Sequence, residues 1–347
     1  MSEVPASVTI TNVPPEVLDN ILAELYDFQL AAALTTSRAF HAVGSRLLYG
    51  NISVSYRRGD LLLWTISRTQ KQYGSYVRTL RYNALYSRYP DNFYRLIRKA
   101  IPRMPRLQTL HLNVPPLEEP PCDRTTWTLM SSYSTISIQP SLRCLDIYAD
   151  LLILVLFRHH SITEISIRKP MDDADFKYFL NSVTNRDTRR NISLNKLTIS
   201  LDQELGLCAA SVLERAGVAF PNLTEIVIRA PTVYALDVSA FLANKSSTWM
   251  QLESVIINDF TPKPPTFETA GLLALQQQHI SLASMVRPQL DRLSFGTILW
   301  RRNTDGEWRM GNESRGYNDD IHKNGSPFWS SVRYKAPTHQ GPDVDER

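Results

Sequence analysis

The chain has 347 residues, 43% of them hydrophobic and 21% charged, which excludes wholesale disorder and supplies one large core or two smaller ones. A formal net charge of +4 arises from 38 basic against 34 acidic residues, a mixture too even to mark a nucleic-acid surface. Cys122, Cys144 and Cys208 form no Cys-x-x-Cys pair, and their odd number suits buried thiols in a reducing compartment better than disulfides or zinc.

Residues 1–11 carry no basic region followed by an apolar run, so they read as an N-terminal tail and not as a secretory signal. The sequons at Asn51, Asn191, Asn222, Asn244 and Asn312 are therefore discounted. Val13-Pro14-Pro15-Glu16 opens the first predicted helix, because Pro is tolerated where a helix has unpaired N–H groups and Glu16 faces the positive end of the dipole. Val17, Leu18, Ile21, Leu22 and Leu25 recur at helical spacing, with Asp19, Asn20, Ala23 and Glu24 on the other side. Asp27 is placed to cap a second helix carrying Leu30 and Leu34, and Ser37 a third carrying Phe40, Val43, Leu47 and Leu48. A core of roughly 40 residues seldom stabilises itself, so an apolar face of this unit is expected to meet a partner.

Val13-Pro14-Pro15-Glu16-Val17-Leu18, then Ile21, Leu25 and Leu30, then Ser37-Arg38-Ala39-Phe40, resemble the F-box. Ser37-Arg38-Ala39-Phe40-His41 followed by Arg46-Leu47-Leu48-Tyr49 is similar to the form frequent in fungal F-box proteins. Val13 stands where the family has Leu and Phe40 where it has Trp, and Ala31, Ala32 and Ala33 reduce the volume of the second helix. The resemblance implies docking onto a Skp-family adaptor, and through it onto the cullin scaffold of an SCF ubiquitin ligase. By position, Pro14, Leu18, Ile21, Leu22, Leu25, Leu30 and Phe40 would face the adaptor or support the face that does.

From residue 77 a pattern apolar-x-x-apolar-x-apolar returns every 20 to 40 residues or so. Its copies are Val77-Leu80-Tyr82, Leu107-Leu110-Leu112, Leu142-Leu145-Ile147, Ile162-Ile165-Ile167, Leu194-Leu197-Ile199, Leu223-Ile226-Ile228, Leu252-Val255-Ile257 and Leu290-Leu293-Phe295. Pro105, Pro140, Pro221 and Pro288 precede four copies at the same offset. Helical patterns at 93–101, 176–183, 207–218 and 272–285 fall between copies, and the run 151–157 is too short to cross a bilayer and reads as core. The pattern resembles the leucine-rich repeat, without that family's Asn or Cys after the last apolar position. The resemblance implies an α/β fold: a three-helix F-box followed by an irregular leucine-rich-repeat solenoid, with a single non-repetitive α/β sheet as the alternative. The expected limits are a tail at 1–11, an F-box-like helical motif at 12–55, a repeat domain at 56–310 and a polar tail at 311–347.

Residues between the apolar positions alternate onto the opposite face of such a sheet. That face would carry Arg81, Asn83, His111, Asn113, Asp146, Tyr148, Glu164, Arg168, Lys196, Thr198, Glu225, Arg229, Ser254, Asn258 and Arg292. Both signs of charge and an aromatic suit a protein target better than a polyanion. Asp305-Gly306 between two short apolar runs predicts a terminal hairpin. Phe328 and Trp329 either pack back on the fold or form a short recognition element.

The signatures of nucleotide, hydrolase, Walker and His-Glu-x-x-His sites are missing from the sequence. His159-His160 has no nearby Cys to complete a metal set, Cys208 reads as a buried inert thiol, and the cluster Arg186 to Arg190 reads as a solvated loop. The expectation is a non-enzymatic substrate receptor of an SCF-type ligase in cytoplasm or nucleus. It needs no cofactor or metal, binds neither nucleic acid nor membrane, and holds an unknown target protein. A repeat scaffold without ligase association is the alternative.

Overall fold

A computed structural model describes residues 13–68, 72–84, 90–115, 141–151, 153–154, 162–184, 193–202, 209–230, 251–259, 277–278, 280–285, 288–295 and 298–312. Three helices open the chain: α1 (Pro15–Ala23), α2 (Asp27–Thr36) and α3 (Arg38–Gly50). Pro15 occupies the first turn of α1 together with Glu16, as the unpaired N–H groups there permit. The Ser37 hydroxyl caps α3 by accepting from the Ala39 N–H at 3.2 Å. Asp27 does not cap α2 as expected. It is the first helical residue, and the Gln29 side chain reaches back to accept from the Tyr26 N–H at 3.1 Å.

The other described residues form a mixed α/β arrangement on one open sheet of eleven strands, ordered in space as in sequence. Its strands are β1 (Asn51–Ser55), β2 (Thr79–Asn83), β3 (Thr109–Asn113), β4 (Cys144–Tyr148), β5 (Glu164–Met171) and β6 (Lys196–Leu201), followed by β7 (Glu225–Ala230), β8 (Ser254–Asp259), β9 (Arg292–Phe295), β10 (Ile298–Arg302) and β11 (Trp308–Asn312). Strands β1 to β9 are parallel, and β9, β10 and β11 pair antiparallel. Between strands lie α4 (Tyr56–Arg68), α5 (Pro90–Ala100), α6 (Asp173–Val183) and α7 (Ala209–Ala219), and residues 280–285 are helical. The helical unit was expected to reach residue 55. It stops at Gly50, because 51–55 form the first strand of the sheet. No described helix is long and apolar enough to cross a membrane.

The repeated motif falls on β2 to β9 in one register. Leu80, Leu110, Leu145, Ile165, Leu197, Ile226, Val255 and Leu293 are successive Cα partners, and each is buried. Their side chains form one core with Phe93 and Ile97 of α5, Phe176 and Phe179 of α6, and Val212 and Leu213 of α7. The first apolar position closes a turn in the copies at Val77, Leu107 and Leu223: the Val77 N–H donates to Gly74 O at 3.2 Å, the Leu107 N–H to Met104 O at 3.0 Å and the Leu223 N–H to Phe220 O at 3.2 Å. Pro105 and Pro221 thus stand second in their turns, where a fixed φ is pre-set. A carbonyl just before each strand then accepts from two N–H groups of the next unit, Arg78 O from Gln108 and Thr109, Asn195 O from Thr224 and Glu225, Glu253 O from Asp291 and Arg292.

One irregularity interrupts the ladder. Between Ile167 and Pro170 the register of β5 against β6 shifts, which accommodates a Pro that lacks the N–H a central strand needs. At the far end Gly306 adopts φ of 84°, a left-handed conformation Gly takes at little cost, and turns the β10–β11 hairpin. Trp300 and Trp308 enter the main core, so this hairpin extends the sheet.

Candidate protein-binding surfaces

The helical unit has its own small core. Leu22, Leu30 and Leu34 are buried together, with Leu25, Ala33, Phe40, Val43, Leu47 and Leu48 packed around them. Gly44 lets α3 approach closely, since a Cβ there would press on Leu34, Leu22 and Leu30. The unit is not a free appendage: α3 runs directly into β1, and Tyr49 stacks on Tyr73 with ring centroids 4.7 Å apart.

After this packing one apolar strip stays uncovered. Val17, Ile21, Tyr26 and Phe28 are 45–67% exposed, and the rings of Tyr26 and Phe28 stack in parallel at 6.1 Å. Of the residues assigned to the adaptor from the sequence, Pro14 and Ile21 are exposed, Leu25 and Phe40 are half-buried, and Leu18, Leu22 and Leu30 are buried as supports. Val17, Tyr26 and Phe28 were not among them. Val17 was legible as the i−4 neighbour of Ile21, whereas Tyr26 and Phe28 flank a helix start where no period marks a face.

The sheet face opposite the core divides in two. On its first half Arg81, Asn83 and Glu164 are exposed, while His111, Asn113, Asp146, Tyr148 and Arg168 are partly exposed. On its second half the same register carries Thr198, Val227, Ile256, Ser294 and Leu299, all buried, with Ser200 and Ser254 buried beside them. Thr198 and Ser254, expected on an open surface, are therefore inaccessible. Lys196 and Glu225 lie at the divide and pair with each other at 2.8 Å, Arg229 and Arg292 are half-buried, and the Asn258 side chain lies outside the described residues. So do Arg186 to Arg190, His159-His160, Cys122, Cys208, Phe328 and Trp329.

A polar network crosses β3, β4 and β5 on the accessible half. His111 Nδ1 donates to Asp146 Oδ2 at 3.2 Å and Arg168 Nε to Asp146 Oδ1 at 2.9 Å. Burial pushes the Asp146 carboxyl up, but the bonds from His111 and Ser166 and the charge of Arg168 outweigh it and hold Asp146 below the ordinary carboxylate range. The hydroxyl of Ser166, the Cα partner of Asp146 on β5, also bonds to this carboxylate. Asn113 Nδ2 donates to Asn83 Oδ1 at 3.2 Å alongside it.

Cys144 lies at the foot of this face, between Thr109 and Glu164 in register. Burial, then the charges of Glu164 and Asp146, push its thiol up to about 11 from 9.0. Two pH units mean roughly a hundredfold less thiolate at pH 8. Iodoacetamide labelling read by peptide mapping is expected to modify Cys144 at least that much more slowly than a free thiol, and a rate equal to that of glutathione would contradict the assigned environment. Among the described residues no group of three or more His, Cys, Asp or Glu is arranged to hold a metal ion. In comparison with known proteins, no family model and no curated protein matches the chain.

Proposed function

We propose that this chain is the substrate-recognition subunit of an SCF-type ubiquitin ligase, with an F-box at residues 13–50 and an irregular leucine-rich-repeat domain beginning at β1. The helical unit would bind a Skp-family adaptor, and through it the cullin scaffold, while the sheet face of β1 to β5 would hold the target protein. Catalysis would belong to other subunits, and the site of action would be cytoplasm or nucleus. The observation that carries the reading is the uncovered strip of Val17, Ile21, Tyr26 and Phe28 on a unit whose own core is already closed. An exposed apolar cluster on a small rigid unit is what a partner surface looks like before it is covered. The eight motif copies in one continuous register support the repeat reading.

A repeat scaffold with no ligase association is the second reading, favoured by one observation. α3 enters β1 without a linker and packs on the turn at Gln72–Tyr76, as a helical cap on a sheet would. Size-exclusion chromatography of the purified chain with a purified Skp-family adaptor separates the two. A stoichiometric complex is expected, and two unshifted peaks at micromolar concentrations would favour the scaffold.

A further inference from the structure

A second apolar strip lies on α4, apart from the surfaces above. This helix buries Leu63 and Ile66 in the main core. Gly59 lies so close to Tyr82 that a Cβ there would overlap the ring, and the Tyr82 hydroxyl donates to Asp60 Oδ1 at 2.5 Å. These contacts fix the rotation of α4 about its axis. At about 3.6 residues per turn, Arg58, Leu61, Trp64 and Arg68 then share roughly a third of the circumference, on the side away from Leu63 and Ile66. Leu61 is 67% and Trp64 46% exposed, and both arginines are exposed. The Arg68 guanidinium lies over the Trp64 ring, 4.9 Å from its centroid, which holds the cation in place beside the apolar surface. The strip reads cation, Leu, Trp, cation. Asp60, the acidic residue of this helix, is turned aside by its bond to Tyr82.

We infer that this strip docks an acidic amphipathic helix of another protein, whose apolar side chains seat on Leu61 and Trp64 while its carboxylates pair with Arg58 and Arg68. Ten residues at about 1.5 Å each separate the two arginines by roughly 15 Å, so the matching carboxylates stand about three turns apart on the partner. Charge selects the occupant: a second copy of this chain meeting strip to strip would set arginine against arginine, whereas an acidic partner pairs both.

The test uses the full ¹⁵N-labelled chain, with the Trp64 indole signal assigned by its loss in Trp64→Phe. The probe is a synthetic helical peptide with a Leu pair flanked by Glu about three turns apart, and the control is its Lys-flanked counterpart. The Glu peptide is expected to shift the Trp64 signal saturably, more weakly in high salt. The variant combining Arg58→Glu with Arg68→Glu is expected to bind it at least tenfold more weakly and to take the Lys peptide instead, while Ile21→Asp leaves binding unchanged. No shift of Trp64, equal response to both peptides, unchanged binding by the charge-reversed variant, or loss of binding in Ile21→Asp would each overturn the inference. So would Trp64 shifts produced by anionic phospholipid vesicles and not by the peptide.

Discussion

Ile21→Asp combined with Phe28→Asp is expected to abolish recovery of a Skp-family adaptor while leaving the melting temperature of the chain within a degree or two. Both side chains are more than half exposed, so neither contributes much to the folded monomer. Covered by a partner, each would contribute roughly 1.5 to 3 kcal/mol, and the pair about 3 to 6, a hundredfold to ten-thousandfold in Kd. A charge in place of each adds the cost of an unpaired ion at the interface. Leu18 and Leu22 are unsuitable for this test although they belong to the same helix. They are buried, and Asp at either would place an uncompensated charge in the helical core and unfold the unit whether or not it binds anything. Pull-down with purified adaptor, read beside a thermal melt, distinguishes the two effects.

Val227→Asp should be among the most destabilising single changes in the sheet, although alternation along β7 points its side chain to the face opposite the main core. Val227 and Ile256 are 0% and 1% exposed, so a carboxylate there loses water and gains no partner. The expected cost is roughly 3 to 5 kcal/mol, on the order of 10 °C in Tm for a chain of this length. Arg81→Ala, on the same face and in the same register but on β2, is expected to change stability by about 0.5 kcal/mol or less. Equal melting temperatures for the two variants would show that the face is open from end to end. Under the proposed function the outcome also bears on where a target protein would bind, because Arg81, His111 and Asp146 are accessible while Thr198, Val227 and Ile256 in the same register are buried.

The repeated motif was legible because each unit needs three apolar groups on one side of a short strand, and that demand leaves a spacing in the sequence. A ninth copy escaped it. Tyr49-x-x-Ile52-x-Val54 fits the same pattern, with Tyr49 and Val54 packed on the main core, but Tyr49 is also the end of an amphipathic helix. The two periods overlap there, and the F-box-like motif was expected to span 12–55, which takes in these residues. The sealed half of the sheet face also had a signal: Ile226-Val227-Ile228 and Val255-Ile256-Ile257 are unbroken apolar runs, as expected of strands buried on both faces, whereas Leu80-Arg81-Tyr82 and Leu110-His111-Leu112 alternate.

The polar network needed coordinates. His111, Asp146 and Arg168 are far apart in sequence, and nothing in their local surroundings says that parallel register brings them side by side. The register of β5 shifts between Ile167 and Pro170, so Arg168 lies within the irregularity and its place beside Asp146 does not follow from strand alternation alone. The exposed strip on α1 and α2 was legible in part. Helical spacing selected Val17, Leu18, Ile21, Leu22 and Leu25 as one apolar group, but which of them turn inward depends on how α3 packs, and Gly44 sets that approach.

Hydrogen–deuterium exchange of the intact chain, with and without a Skp-family adaptor, addresses the uncovered strip most directly. Binding is expected to slow exchange across residues 15–28 and to leave the amides of β3 to β8 unchanged. Exchange in 15–28 that is the same with adaptor present, at concentrations where both proteins are folded, would contradict the proposed docking and leave the helical unit as a cap on the sheet.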